Sequence, residues 1–157
     1  MNKRVVITGM GIISPLGNNI NEYWENLING KSGVGYITKF NPEEKGISVK
    51  IAAEVKNFNP EEYIDKKEIR RMDLFSQYAM AAASQAIKQA GLEESNVDKE
   101  RVGVMVGSGI GGIQSFQENA INFHTKGRVS PFFIPMVITD MAAGLISIKY
   151  GFMGPNL

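Results

Sequence analysis

Arg101-Val-Gly-Val-Met-Val-Gly107, running on into Ser108-Gly-Ile-Gly-Gly112, is the stretch on which the fold turns. Its first part is short, apolar and valine-rich, and reads as a strand buried on both faces, the habit of a parallel sheet. Its second part is a glycine loop, from which a polar helix continues to about His124. Upstream, residues 73–90 are the clearest helix in the chain. Asp73 can cap it, alanines fill it, Leu74, Tyr78, Ala81, Ala82 and Gln85 trace a face, and Gly91 ends it. Downstream, residues 127–135 read as a loop and residues 136–150 as one apolar helix stopped by Gly151.

Farther out, Arg4-Val-Val-Ile-Thr-Gly9 reads as another strand buried on both faces. After a Gly- and Pro-containing loop, Ile20, Tyr23, Trp24, Leu27 and Ile28 recur at helical spacing. Asn18 or Asn19 is the cap and Gly30 the stop. Residues 47–55 alternate between Ile47, Val49, Ile51, Ala53, Val55 and a wetter set, which predicts an edge-like strand. Phe-Asn-Pro-Glu-Glu occurs at residues 40–44 and again at 58–62, but nothing around it repeats. Asn as cap, Pro at the first helical position and Glu in the first turn favour a helix start at both. The order β, α, β, α, β, α, α, with connections too long for hairpins, predicts an α/β fold with a mainly parallel sheet. The chain stops at Gly154-Pro-Asn-Leu157 directly after a turn, which suggests an element left unclosed.

Composition narrows the function. The 157 residues are 43% hydrophobic and 21% charged, with a formal charge of +1. That is globular, and it carries no overall field for nucleic acid or an anionic membrane. Cysteine is absent, which removes disulfides, thiolate metal sites and a thiol nucleophile from these residues; no metal site is expected. The amino terminus Met1-Asn2-Lys3-Arg4 is charged, but Gly9, Gly11 and Pro15 interrupt the apolar run behind it. No signal peptide or membrane span is expected, and a cytoplasmic location is.

Gly107, Gly109 and Gly112 satisfy the spacing of a dinucleotide loop after a strand and before a helix. Against that reading, the loop follows the third strand, residues 124–135 do not resemble a second strand, and no acidic residue stands ready for a ribose hydroxyl. The alternative is that these glycines allow close packing and unusual backbone angles. Val5-Val-Ile-Thr-Gly-Met-Gly11 also fails the pattern, because Ser14 replaces the third glycine, and a Walker A loop is absent.

Val5–Gly11 with Ser14-Pro-Leu-Gly17, Gly107-Ser-Gly-Ile-Gly-Gly112, Ser130-Pro-Phe-Phe-Ile-Pro135 and Tyr150-Gly-Phe-Met-Gly-Pro155 together resemble the elongating, second-type β-ketoacyl-[acyl-carrier-protein] synthases. Lys67-Glu-Ile-Arg-Arg-Met-Asp73 and the helix after it sit where that family has similar segments. The resemblance implies a thiolase-like fold of two similar α/β halves, of which residues 1–157 are most of the first, an incomplete amino-terminal half. It implies decarboxylative condensation of an acyl thioester with malonyl-carrier protein. The family's cysteine would fall a few residues past Leu157 and its histidines farther on, so no catalytic residue carries over and these residues alone should be inactive. His124, the sole histidine, matches no catalytic position and reads as a surface residue.

The resemblance places acidic acyl carrier protein on Lys66, Lys67, Arg70 and Arg71, with help from Arg128. On one helix, Lys66 and Arg70, and Lys67 and Arg71, are four apart and can share a broad face. The competing reading is a solvated helix face, since Asp65, Glu68 and Asp73 flank it. By the same resemblance Ile110 lines the acyl pocket and Phe133 stands at a homodimer interface, where ordinary core packing is the alternative. No cofactor is implied beyond the phosphopantetheine of the carrier. A non-catalytic carrier-binding fragment or chain-length partner is the second reading, and a nucleotide-dependent oxidoreductase the third. In isolation these residues should expose apolar surface.

Overall fold

The computed structural model describes residues 3–157; Met1 and Asn2 of the charged amino terminus lie outside the described residues. The chain forms two compact units, residues 11–59 and residues 3–10 with 60–157.

In the smaller unit, Asn19 and not Asn18 caps α1 (Ile20–Ile28). Its side chain accepts the Glu22 N–H at 2.9 Å, while the Glu22 carboxylate accepts the Asn18 N–H at 2.9 Å. One N–H left over by the helix start, and the N–H of the residue before the cap, are thereby satisfied. Strands β1 (Val34–Tyr36) and β2 (Ile51–Ala53) pair antiparallel, Val34 opposite Ala53 and Tyr36 opposite Ile51. The nine-residue strand expected at 47–55 is therefore much shorter. The Glu54 carboxylate accepts the backbone N–H groups of Thr38 and Lys39 and the Thr38 hydroxyl, so these donors leave the ladder. The Thr38 hydroxyl bond also holds the Glu54 carboxyl below its ordinary value. The first Phe-Asn-Pro-Glu-Glu copy makes turns only, with Asn41 accepting the Glu43 N–H at 3.1 Å.

The larger unit is built on α3 (Leu74–Gln89) and α6 (Met141–Tyr150), preceded by a single 3-10 turn at Pro60–Glu62 and the short α2 (Lys66–Ile69). The helix after Asp73 is as expected, but its buried face runs through Ser76, Met80, Ala81 and Ile87. Ala81 and Ala143 retain no exposed surface, which lets α3 and α6 approach closely. Ile64, Met72, Ile146, Tyr150 and Phe152 complete the core, with the Tyr150 hydroxyl 2.6 Å from the Ser84 hydroxyl.

The two strands expected to be doubly buried are not. Residues 102–106 run parallel to 154–157, Val104 and Val106 donating to the carbonyls of Pro155 and Leu157 at 2.9 Å. Val102, Val104 and Val106 pack on the core while Met105 is 73% exposed, so one face alone is covered. The partner segment 154–157 had read as a turn. Residues 4–9 form no strand, and Val5 is 91% exposed. This segment is held at its end, where Gly9 abuts the Ala86 carbonyl and the Met10 N–H reaches the Gln89 side chain at 2.6 Å.

The apolar helix expected at 136–150 is divided. Helix α5 (Phe133–Val137) begins three residues earlier, with Pro135 in its first turn, where a missing N–H costs nothing. Ile138 is extended, and α6 starts at Met141. The Val137 carbonyl turns to accept the Gly112 N–H at 3.0 Å, which brings the glycine loop against α5. Helix α4 (Ile113–Lys126) follows that loop and ends on Gly127 at φ 62. No helix among the described residues is long and apolar enough to cross a membrane.

Candidate functional site

Two basic segments distant in sequence meet in the larger unit. Helix α2 has only four residues, so Lys66, Lys67, Arg70 and Arg71 do not occupy one continuous helix face as expected. Arg70 caps α2 and Arg71 lies beyond it. Lys66 pairs with Glu61 at 3.3 Å and Arg71 with Glu68 at 3.1 Å. Arg71 also stands 4.8 Å above the ring of Phe132, a cation–π contact. Lys67, Arg70 and Arg128 are exposed and make no ion pair among the described residues.

Arg70, Lys126 and Arg128 line one open cavity of about 420 Å³, with Glu118 the carboxylate on its wall. Three cations against one carboxylate leave it net positive, suited to an anionic group or an acidic protein surface. Lys126 had not been marked in the sequence, although it stands two residues before Arg128 at the end of α4.

A buried polar network holds these segments. Asp73, 6% exposed, accepts the Phe75 N–H at 3.2 Å and the Ser115 N–H at 2.9 Å. Its carboxylate thus caps the starts of α3 and α4 together, where helix dipoles favour negative charge. Asn119, also buried, donates to the Ser115 carbonyl at 2.8 Å and accepts the Ser130 N–H at 2.8 Å. That bond ties the loop bearing Arg128 to α4. Asn119, a lone polar residue within a helix, carries no local signal, and Phe132, although inside the Ser130–Pro135 motif, is one ring among several and has no role assigned by the sequence.

The helix end of the glycine loop, Gly111 and Gly112, is packed against the segment at Met136 and Val137, while Gly107 and Gly109 are exposed. Gly111 has φ +73, and a Cβ on Gly112 would lie 1.9 Å from the Met136 carbonyl oxygen. The Gly111 N–H donates to Ser108 Oγ at 3.0 Å and the Gly112 N–H to Val137. The Asp73 carboxylate already occupies the α4 start, where a pyrophosphate would rest, and would repel one. Close packing accounts for Gly111 and Gly112 but not for Gly107 and Gly109, where a Cβ would meet nothing within 4 Å.

Ile110, at the tip of this loop, is 69% exposed among the described residues. Phe133 is half-buried, its ring centroid 6.0 Å from that of Phe116. The Gly112–Val137 bond makes neighbours of the two segments carrying Ile110 and Phe133. His124 is exposed in the last turn of α4. Among the described residues no three His, Asp or Glu side chains gather as a metal-ligand group. The site can bind and orient; it contains no thiol for acyl transfer.

Comparison with known proteins shows the family. The family described as β-ketoacyl synthase, N-terminal domain, matches residues 2–157. The chain is 52% identical over 157 residues to 3-oxoacyl-[acyl-carrier-protein] synthase 2 of Staphylococcus aureus (strain N315), covering 99% of this chain and 37% of that protein. Among solved structures, the ishigamide ketosynthase/chain length factor is similar with a TM-score of 0.84 and 27% identity, over 97% of this chain and 38% of that one. A type II PKS acyl-carrier protein in complex with its ketosynthase, bound to the hexaketide, gives a TM-score of 0.77 and 28% identity, over 97% and 41%. The chain thus spans little more than a third of the curated relative's length.

Proposed function

Because this chain belongs to the β-ketoacyl synthase family, we propose that it is the amino-terminal part of a 3-oxoacyl-[acyl-carrier-protein] synthase that elongates fatty acids. In that reaction malonyl-carrier protein loses carbon dioxide, and the resulting carbanion attacks an enzyme-bound acyl thioester and expels the thiol. The 157 residues hold no cysteine, so their contribution is to receive and orient the carrier. The protein works in the cytoplasm as a homodimer and needs no cofactor beyond the carrier's phosphopantetheine.

The observation that carries this reading is the net-positive cavity lined by Arg70, Lys126 and Arg128, with Lys67 exposed on α2. Acidic carrier protein docks there, and charge complementarity chiefly speeds and orients the encounter. Ile110 lines the acyl pocket and Phe133 the dimer interface. Lys67→Glu with Arg128→Glu should weaken carrier binding at low salt by about tenfold or more, the size of a reversed contact in such interfaces. Affinity equal to the wild type, measured by surface plasmon resonance, refutes docking at this surface.

A second reading, a non-catalytic chain-length partner, is favoured by the similarity to a ketosynthase/chain length factor structure. Incubating the whole protein with radiolabelled acyl carrier protein separates the two. Covalent transfer of the acyl label supports the synthase; carrier binding without transfer supports the partner.

A further inference from the structure

We infer that Phe132 and Asn119 are positioning residues, which make one docking surface from two basic segments about sixty positions apart. The inference rests on the docking reading above. A closed circuit of contacts begins and ends at Arg71. From Arg71 the chain leads two residues on to Asp73, whose carboxylate accepts the Ser115 N–H at 2.9 Å. The Ser115 carbonyl accepts from Asn119, and Asn119 accepts the Ser130 N–H, both at 2.8 Å. The Ser130 hydroxyl accepts the Phe132 N–H at 3.1 Å, and the Phe132 ring receives the Arg71 guanidinium at 4.8 Å.

Such a circuit has a physical purpose. Arg70, Lys126 and Arg128 around one cavity repel each other, and each lies at the end of a helix or in a loop, where the regular helical hydrogen bonds run out. Fixing the segments beforehand reduces the ordering cost when a partner binds. Phe132 adds no charge, so it acts on binding through the placement of Arg71 and the 126–132 loop.

The test is binding of purified apo acyl carrier protein to the intact protein at low salt, with thermal unfolding as the check on folding. Phe132→Leu should weaken binding about two- to fivefold, the span of an exposed cation–π contact. Phe132→Tyr, which keeps the ring, should restore the wild-type affinity. Arg71→Lys should weaken binding in the wild type but add nothing further in the Phe132→Leu background, since the contact it perturbs is already gone. Arg71 is exposed, so Arg71→Lys in the wild type perturbs the contact without disturbing the core, and thermal unfolding verifies the two Phe132→Leu corners of the cycle.

Wild-type affinity for Phe132→Leu, or additive losses in the cycle, overturns the positioning role while docking stands if Arg128→Glu still weakens binding. If Arg128→Glu and Lys67→Glu leave binding unchanged, the docking reading fails and the positioning role with it.

Discussion

Replacing Asp73 by alanine probes the network at its most economical point. The carboxylate is 6% exposed and caps both α3 and α4, through Phe75 N–H at 3.2 Å and Ser115 N–H at 2.9 Å. Losing an N-cap costs about 0.5–2 kcal/mol. Ser115 is itself 4% exposed, so its N–H would be left buried without an acceptor, a further cost of about 1–3 kcal/mol. Together these predict a loss of about 2–4 kcal/mol, since the two terms overlap in part. At about 2–4 °C per kcal/mol for a chain of this size, Tm should fall by about 4–16 °C. Asp73→Asn preserves volume and one acceptor oxygen but turns its amide toward the other N–H, so it should lose less than alanine. Thermal unfolding by circular dichroism measures both variants, and amide exchange should quicken at Phe75 and Ser115 together. A Tm for Asp73→Ala within about 1 °C of wild type, or exchange altered at one helix start alone, refutes the double cap.

Other outcomes follow from the same geometry. Gly112→Ala sets a Cβ 1.9 Å from the Met136 carbonyl oxygen, and should cost about 3 kcal/mol or more as the loop and α5 part; an unchanged denaturant midpoint refutes it. Tyr150→Phe removes the 2.6 Å bond to Ser84 and should cost about 1 kcal/mol near neutral pH. Burial raises the Tyr150 pKa above 10.0, outweighing the bond from Ser84, with Glu93 adding to the rise. The unfolded chain therefore releases this proton first, and stability present below about pH 10 is lost as pH rises through the folded value. The phenylalanine variant should lose less stability between about pH 9 and about pH 11, in urea unfolding at each pH, although Tyr78, also raised by burial, keeps part of the slope. An identical alkaline slope refutes the Tyr150 assignment. Ile110→Phe should leave stability within about 0.5 kcal/mol, because the side chain is exposed, and should shorten the acyl chains that the whole enzyme accepts. An unchanged product profile, read by mass spectrometry, removes Ile110 from the acyl pocket.

The thiolase-like α/β class was legible in the sequence through four motifs taken in order, and several helix ends through their caps and stops, but not the break that divides residues 133–150 into α5 and α6. Asp73, Asn19, Gly91, Gly127 and Gly151 are punctuation that acts within a few residues, and the structure uses each at a helix boundary. Strand burial was not legible in this way. A run such as residues 4–9 announces its hydrophobicity but not its neighbours, and no neighbouring strand pairs with it among the described residues. Residues 154–157 show the reverse case, a segment read as a turn that pairs with 102–106 because the chain brings it alongside.

The same division runs through the candidate site. Sequence by itself determined which groups are available here: a cluster of cations at residues 66–71, a run of glycines at 107–112, and no thiol to take an acyl group. Only the tertiary structure decided that Arg70 and Arg128 share a cavity, that Arg71 rests on Phe132, and that one aspartate closes two helix starts. Those relations join residues up to about sixty positions apart. Caps and turns depend on contacts a few residues long, whereas a surface depends on which distant segments the core packs side by side.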